Sequence, residues 1–421
     1  MGVSGSTHSV EVCGAEPGPY RPAPFAPHAR QRVGGVVIAD QHQAREPSRI
    51  APVKGPLVSR HTLHHTIRHT IRRRLIAVVT LLLAPVLVLA TPGAADAATR
   101  DRADAAAGWL GRQLDDDSFL IVGDFGPDYG LTADTVLALY AAKVGRGAAR
   151  RATKALKHNV LAYTGGGDPA EYYAGAFAKL LNVAAAHGND PRGFGPSARS
   201  DLITQLTALE CGLPTRDDCA AADKGRFSDI SQYGDFSNMI TQSLALIGLG
   251  RTTQAGPSRA SVGFLVDQQC ANGAFPEGFG DATCTGSVDA TGFAVQALVA
   301  DGTPAALAAA EQAGGWLAAQ QHRNGSFTGN GTRNANSTAL AAQAFEALDR
   351  TQRARKARLF LRSLQVRCGG EREDRGLVRY NRAGTGDPVR ATAQAVPALA
   401  RVTLDHITRD GSRRGLPRLA C

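Results

Sequence analysis

The chain has 421 residues, with 43% hydrophobic and 6% aromatic side chains and a net charge of +10. Residues 1–98 hold 11 of the 47 basic and 5 of the 37 acidic side chains, which leaves 36 against 32, or +4, for residues 99–421. This balance is ordinary for a soluble domain, so charge gives no reason to expect a nucleic-acid partner.

The first 98 residues predict a leader followed by a signal peptide. Residues 1–71 are rich in Pro, Gly, Arg and His and lack a periodic apolar pattern that could build a core. In residues 72–98, three arginines precede an apolar run of 16 residues and an A-x-A cleavage site. A membrane anchor is disfavoured because the run is short and Pro85 interrupts it. We therefore expect secretion after cleavage near Ala97 or Ala98, with no stable membrane span left.

The position of this signal is unusual, because a secretory signal normally begins near the start of translation. One hypothesis is that translation starts at a later codon, for example that of Val58, and that residues 1–57 are not made. N-terminal sequencing of the precursor tests it.

Six of the seven cysteines lie after residue 98, at Cys211, Cys219, Cys270, Cys284, Cys368 and Cys421. An even number in an exported chain predicts disulfides, for which six cysteines allow 15 connectivities. Short-range pairs Cys211–Cys219 and Cys270–Cys284 are our expectation. Zinc is the competing interpretation, but there is no C-x-x-C and no His at ligand spacing, so we predict no metal.

One spacing occurs four times: an acidic residue or its amide stands seven positions before Gln. The pairs are Asp235 with Gln242, Asp289 with Gln296, Asn336 with Gln343, and Asp387 with Gln394. Successive copies begin 54, 47 and 51 residues apart. A period of this size is typical of stacked helical repeats.

Each repeat predicts two helices. The second helices are expected at 132–140, 172–186, 238–247, 290–300 and 338–348, with a sixth that ends at 399. They consist almost wholly of small and apolar residues, which predicts burial on all sides, whereas the first helices carry more charge. We therefore predict an all-α (α/α)6 toroid over residues 99–403, with six inner and six outer helices, followed by a C-terminal tail at 404–421.

Two segments share the pattern Gln-x3-Asn-Gly-x-Phe, from Gln268 to Phe275 and from Gln320 to Phe327. The pattern resembles the QW-type repeat of squalene and terpene cyclases and the repeat of protein prenyltransferase β subunits. The resemblance covers about residues 104–400. It implies an (α/α)6 barrel with a central cavity, and it implies fold more than function.

The catalytic sets of this superfamily are incomplete here. Prenyltransferase β subunits hold zinc through Asp-x-Cys and a later His, but the matching positions are Asp289, Thr291 and Asn336. Class II cyclases use Asp-x-Asp-Asp, whereas Leu114 opens the acidic run 115–117. We interpret that run as a solvated loop; the alternative is a calcium site completed by Asp124 and Asp128. No catalytic residue, metal or cofactor is therefore predicted.

Four polar residues are the candidate cavity-rim residues: Asp235, Asp289, Asn336 and Asp387. Each is expected just before an inner helix, where it would cap the free backbone N–H groups. The same helix N-termini, gathered at one rim, favour an anion. The repeated Gln side chains are expected to bond backbone groups between helices.

The leading functional hypothesis is a binding module that holds a small or hydrophobic ligand, or a protein partner, in the toroid cavity. The alternative is a divergent terpene cyclase or prenyltransferase-type enzyme with acids at Asp235, Asp289 or Asp387. An aromatic cavity with a buried Asp of raised pKa favours the enzyme. The oligomeric state is left open.

Overall fold

The computed structural model describes residues 98–99, 101–253, 256–280 and 283–421. The predicted leader, the signal peptide and its cleavage site at Ala97 lie outside the described residues, apart from Ala98.

Thirteen α-helices are present in this described part. In chain order they are α1 (Arg102–Gly111), α2 (Tyr129–Ala141), α3 (Arg146–His158), α4 (Val160–Gly165), α5 (Ala174–His187), α6 (Leu202–Thr207), α7 (Met239–Gly250), α8 (Arg259–Asp267), α9 (Val288–Asp301), α10 (Pro304–Gln320), α11 (Ala335–Ala347), α12 (Thr351–Leu364) and α13 (Pro388–Ala400). The predicted ends of the second helices differ from those of α2, α5, α7, α9, α11 and α13 by one to three residues.

Those six helices, the inner helices, pack side by side in a closed circle. α5 packs on α7, α7 on α9, α9 on α11, α11 on α13, α13 on α2, and α2 on α5. The outer helices α1, α3, α6, α8, α10 and α12 pack against this ring, and the short α4 lies against α5. The predicted all-α (α/α)6 toroid is therefore confirmed.

Small residues let the inner helices approach closely. In α11, ten of the thirteen residues are buried, and five of those ten are alanines. At Gly292 of α9 a Cβ atom would lie 2.9 Å from the Cβ of Leu340 in α11, so this junction has no room for a side chain. Side chains that carry no polar group and lose no rotamer freedom suit a helix that is enclosed by others.

The N-terminal ends of the inner helices meet at one rim of the toroid. The first residue of α5, Ala174, donates its N–H to Asp229 Oδ1 at 2.7 Å, in the loop before α7. Met239 of α7 donates to the carbonyl of Glu277, before α9, at 3.0 Å, and Ala335 of α11 to that of Tyr380, before α13, at 2.7 Å. These bonds join the start of one inner helix to the loop that leads into the next.

The opposite face is covered by a segment that we call the floor, residues 402–421. It includes the 3-10 helix Leu404–His406 and satisfies groups at the C-terminal ends of the inner helices. Arg409 N–H bonds the Ala186 carbonyl of α5 at 2.8 Å. Arg251, just after α7, donates to the Leu404 carbonyl at 2.7 Å and to that of Ile407. The residues predicted as a C-terminal tail thus pack on the toroid.

Short strands complete the fold. β2 (Ile121–Gly123) and β3 (Gly126–Asp128) form an antiparallel hairpin that leads into α2, and β4 (Phe327–Gly329) and β5 (Thr332–Asn334) form one that leads into α11. β1 (Ala98–Thr99) pairs in parallel with β6 (Arg418–Leu419) in the floor.

A hydroxyl or amide near the start of an inner helix anchors the segment before it. In four helices the anchor stands four residues after the N-cap, and its oxygen accepts a backbone N–H at 2.8–3.0 Å from an apolar residue upstream. The pairs are Thr132 with Ile121, Gln242 with Phe227, Thr291 with Phe275, and Thr338 with Phe327. In α13 the anchor is Thr392, five residues after the cap, and it holds Val378 at 2.9 Å.

Three disulfides close loops in this structure. The two expected short-range pairs are formed, Cys211–Cys219 and Cys270–Cys284, with Cα atoms 5.7 and 5.6 Å apart. The third, Cys368–Cys421, joins the loop after α12 to the last residue of the floor across 53 positions. No helix in the described ranges has the length and apolarity needed to cross a bilayer.

Candidate ligand site at the centre of the toroid

A cavity of about 200 Å³ lies inside the ring, with at least one lining residue from every inner helix. Its middle layer, here called the inner ring, has one residue from each: Asp134, Lys179, Leu244, Phe293, Leu340 and Gln394. The first five stand six residues after the N-cap of their helix. Gln394 stands seven after Asp387, and α13 shows the same one-residue offset at its threonine anchor. Equal depth below the caps, about 9 Å, explains why these side chains meet.

The inner ring is divided into a polar and an apolar half. Gln394, Asp134 and Lys179 come from the consecutive helices α13, α2 and α5. The other three members, from α7, α9 and α11, are hydrophobic. A ligand in this cavity would contact hydrocarbon on one side and charged or amide groups on the other, which is the usual composition of small-molecule sites.

An ion pair dominates the polar half. Lys179 Nζ lies 2.9 Å from Asp134 Oδ1 and 3.0 Å from Oδ2, and both side chains are about four-fifths buried, with 20% and 18% exposure. Burial lowers the pKa of Lys179, but the carboxylate of Asp134 outweighs it, so the pKa lies above its ordinary 10.5. Burial also raises the pKa of Tyr163 to about 12, so this phenol stays neutral beside the pair.

Two amide oxygens in the cavity wall have no hydrogen-bond partner. Gln343 is 2% exposed, and its Nε2 donates to the Ala339 carbonyl of its own helix at 3.3 Å while its Oε1 is buried and unpaired. Gln394 Oε1 is likewise buried and unpaired. A buried acceptor without a donor costs about 1–3 kcal/mol, so the two oxygens mark places where a ligand or water donor is needed.

The two ends of the cavity differ. At the rim, Arg390 lines the mouth, with its guanidinium 3.4 Å from Asp128 and 3.8 Å from Asp387. At the other end lies Leu404 of the floor, held by Gln296 Oε1, which accepts the Leu404 N–H at 3.1 Å. The cavity is therefore entered from the rim, past an arginine already shared by two carboxylates.

The four candidate rim residues do not line this cavity, and the expectation that all four are N-caps is wrong for three. Only Asp387 caps its helix, accepting the N–H groups of Val389 and Arg390 at 2.8 and 3.2 Å. Asp289 and Asn336 are the second residues of α9 and α11, because Ser287 and Asn334 are the caps.

Asp235 is an exposed loop residue three positions before the true cap of α7, Asn238. It pairs with Arg226 and accepts the N–H groups of Asp229 and Ser237 at 3.1 and 2.9 Å. Its role in the structure is to fix the loop before α7.

Asp289 and Asn336 lie at adjacent helix starts on the rim. Each has a buried Oδ1 without a hydrogen-bond partner. Burial raises the pKa of Asp289, Ser337 opposes the shift, and Glu277 adds to it. This is the feature expected of an acid catalyst, but neither residue reaches the cavity wall.

The acidic run 115–117 forms a turn after α1. Asp115 Oδ1 accepts the N–H groups of Asp117 and Ser118 at 3.2 and 2.7 Å, and these bonds, first that from Ser118, lower the pKa of Asp115. Asp128 instead caps α2, bonding Leu131 N–H at 2.7 Å. Within the described ranges, no group of three or more His, Cys, Asp or Glu side chains could hold a metal ion.

The inner ring was not predicted from the sequence, although one signal was present. Asp134 and Lys179 are each the one Asp, Glu, Lys or Arg residue of a largely apolar helix, YGLTADTVLALYA and AGAFAKLLNVAAAH. A charge inside a helix that is predicted to be buried on all sides must have a partner, and these two are partners of each other.

No sequence-family profile matches the chain, and no curated protein matches it. Solved structures do resemble it in fold. A variant of the type II terpene cyclase MstE from Scytonema, in complex with geranylgeranyl dihydroxybenzoate, is 14% identical with a TM-score of 0.51, over 71% of this chain and 96% of that one. The apo form of the same cyclase gives 15% identity, a TM-score of 0.50 and the same coverage.

An unsaturated glucuronyl hydrolase variant in complex with the oligosaccharide dGlcA-Glc-Rha-Glc is also similar, with 14% identity and a TM-score of 0.50 over 72% of this chain and 96% of that one. These proteins act on different chemical classes of molecule. The likeness therefore shows an α/α toroid and confirms the fold implied by the repeat pattern, without assigning a reaction.

Proposed function

We propose that this protein binds a small amphipathic molecule in the central cavity. One observation carries the proposal: the inner ring is apolar on α7, α9 and α11 and polar on α13, α2 and α5, and two buried amide oxygens in the cavity wall have no donor. The ligand would place its hydrocarbon part against Leu244, Phe293 and Leu340 and donate a hydrogen bond to Gln343 or Gln394.

The volume of the cavity limits the ligand. About 200 Å³ is below the roughly 300–1,000 Å³ typical of sites for drug-sized molecules. It is comparable to the cavity of about 150 Å³ that accepts benzene in an engineered protein. A long polyprenyl chain does not fit this volume, so the expected ligand is about the size of a single ring.

Enzymatic chemistry of the cyclase kind has less support. Among the described residues that line the cavity, Phe293 is the one aromatic, whereas carbocation chemistry favours several aromatic faces. The cavity carboxylate, Asp134, is held in an ion pair with Lys179. Asp289 and Asp229, whose carboxyl groups have raised pKa values, lie at the rim.

A matched pair of probes tests the proposal. Benzyl alcohol should bind more tightly than toluene, by about fivefold, because its hydroxyl can donate to an unpaired amide oxygen. The double variant Gln343→Leu/Gln394→Leu should remove most of that preference, whereas Gln352→Leu, a Gln-to-Leu change at the exposed start of α12, should leave it intact. Calorimetry that detects neither probe, in a protein shown by native mass spectrometry to hold no retained ligand, contradicts the proposal.

We also propose that the protein acts outside the cytoplasm. The signal-like segment at 72–98 and three disulfides, which persist in oxidising compartments, support this location. Fractionation followed by N-terminal sequencing should find the mature chain in the medium, starting near Ala98. A mature protein that retains residues 75–90 contradicts this proposal.

A further inference from the structure

A second concave surface shares no lining residue with the central cavity. Two adjoining cavities, of about 670 and 430 Å³, have Arg150 and His187 in common and together form one groove. One wall is α3. The other is the floor around residues 409–414 in the larger cavity and the loop at residues 189–196 in the smaller one. Tyr140 and His187 lie at its base.

The groove is lined by six cations, four on α3 and two on the floor: Arg146, Arg150, Lys154, Lys157, Arg409 and Arg414. None of the six forms an ion pair with a described residue, in contrast to Arg226, Arg358 and Arg390 elsewhere. Asp410 is the one carboxylate among the described lining residues. Uncompensated like charges repel one another, so this arrangement is stabilised when an anion lies between them.

The sequence of α3 explains the row of cations. Its buried residues, among them Ala148, Ala152 and Leu156, follow a helical period against the core, and the helix contains no acidic residue. Arg146, Arg150 and Lys154 are four residues apart on the other face, with Lys157 one further turn along. The row spans about 16 Å at 1.5 Å per residue.

The base of the groove is neutral. The Tyr140 hydroxyl and His187 Nδ1 are 2.6 Å apart. Burial, with Arg409, Lys157 and Arg150, lowers the pKa of His187 to about 4, and burial raises the pKa of Tyr140 to about 12. Neither side chain therefore adds charge at neutral pH, and the positive field comes from Arg and Lys alone.

We propose that this groove binds a linear polyanion that carries phosphate or sulfate groups and no bases. A row of cations about 16 Å long suits repeated charges along a chain better than one compact ion. A single-stranded nucleic acid needs exposed aromatic rings on which bases stack. Tyr140, the only Phe, Tyr or Trp among the described lining residues, is 0% exposed.

Calorimetry with long-chain inorganic polyphosphate and with dextran sulfate tests the proposal and distinguishes the two charge carriers. The R150Q/K154Q variant should weaken binding and lower the slope of log Kd against log salt by about 2, or about 1 per cation removed. R355Q/K356Q removes the same charge from exposed positions of α12 and should leave both quantities unchanged.

Four results would overturn the proposal. They are binding of neither polymer, equal loss in the two variants, a tighter complex with a single-stranded oligonucleotide of matched charge, and binding of pyrophosphate as tight as that of polyphosphate. The substituted side chains are exposed, so the variants should fold, which circular dichroism verifies.

Discussion

Lys179 contacts both carboxylate oxygens of Asp134, at 2.9 and 3.0 Å, and so ties α5 to α2 halfway down the toroid. The pair is also part of the cavity wall. One interaction thus joins two members of the inner ring and sets the polarity of the proposed ligand site.

Loss of one partner should destabilise the protein more than loss of both. Asp134→Leu leaves a largely buried ammonium without its counter-ion, and we expect a loss of about 2–4 kcal/mol in the free energy of unfolding. The double variant Asp134→Leu/Lys179→Met should recover more than half of it. Urea denaturation of the wild type and the two variants measures this, and equal stability of the single variant and the wild type would show that the pair contributes little.

His187 should make stability depend on pH in the acid range. Its folded pKa is about 4, against an ordinary value of 6.5 for an unfolded chain, so between these values the unfolded chain binds a proton that the folded chain does not. The contribution of His187 to the free energy of unfolding is therefore fully present above pH 6.5. It is lost as the pH falls towards 4, by up to about 3 kcal/mol.

The raised pKa values of Asp229 and Asp289 have the opposite effect on stability as the pH falls. The effect of His187 is therefore measured as a difference between the wild type and a variant that lacks this side chain. His187→Gln can accept the Tyr140 hydroxyl but does not titrate. The difference in unfolding free energy between wild type and variant should shrink by about 3 kcal/mol from pH 7 to pH 4. A constant difference would show that His187 does not titrate as an isolated buried group.

The contribution of each threonine anchor to the free energy of unfolding should be measurable separately. Thr338→Val keeps the shape of the side chain but removes the oxygen that accepts Phe327 N–H at 3.0 Å, and both residues are fully buried. An unsatisfied buried N–H predicts a loss of about 1–3 kcal/mol. Thr338→Ser retains the oxygen and should cost less, so a larger loss for Ser than for Val would rule out the hydrogen bond as the cause.

The Cys368–Cys421 disulfide should hold the floor in place. It closes a loop over 53 positions, and its removal in a Cys368→Ala/Cys421→Ala variant should cost about 4 kcal/mol by the chain-entropy relation. Hydrogen exchange of residues 402–421 should rise while that of α9 and α11 stays slow. The Cys211–Cys219 pair, with a separation of 8, serves as the short-loop control, and equal exchange in all variants would contradict the role assigned here.

The fold was predictable because a helical hairpin in which one helix is almost wholly apolar has few ways to bury that helix. The repeated Asp/Asn–Gln spacing, however, is equivalent in structure only between α9 and α11, where the Gln stands nine residues after the caps Ser287 and Asn334. Gln242 stands four after Asn238, and Gln394 seven after Asp387. In the copies at Asp235 and Asp387 the spacing of seven residues is the same, but the Gln stands at a different distance from the N-cap of its helix.

The Gln side chains have different roles for the same reason. Gln242, at the anchor position, bonds the backbone of Phe227, Gly225 and Ser261 at 2.9–3.0 Å, as expected of a group that links helices. Gln343 and Gln394 line the cavity instead. The depth of a side chain in the toroid depends on how many residues separate it from the N-cap of its helix. The cap position of α5 is held by Tyr173, which makes no side-chain capping bond, so the sequence does not show where this helix starts.

The order of the chain has a consequence for how the cavity is filled. The floor follows the sixth inner helix, so all six inner helices are synthesised before it. If they close into a ring first, that ring is a tube open at both ends until residues 402–421 fold across it. A molecule too wide to pass Arg390 can be enclosed from below at that stage. Once the floor has folded, with its last residue Cys421 bonded to Cys368, such a cargo leaves only when the floor opens again.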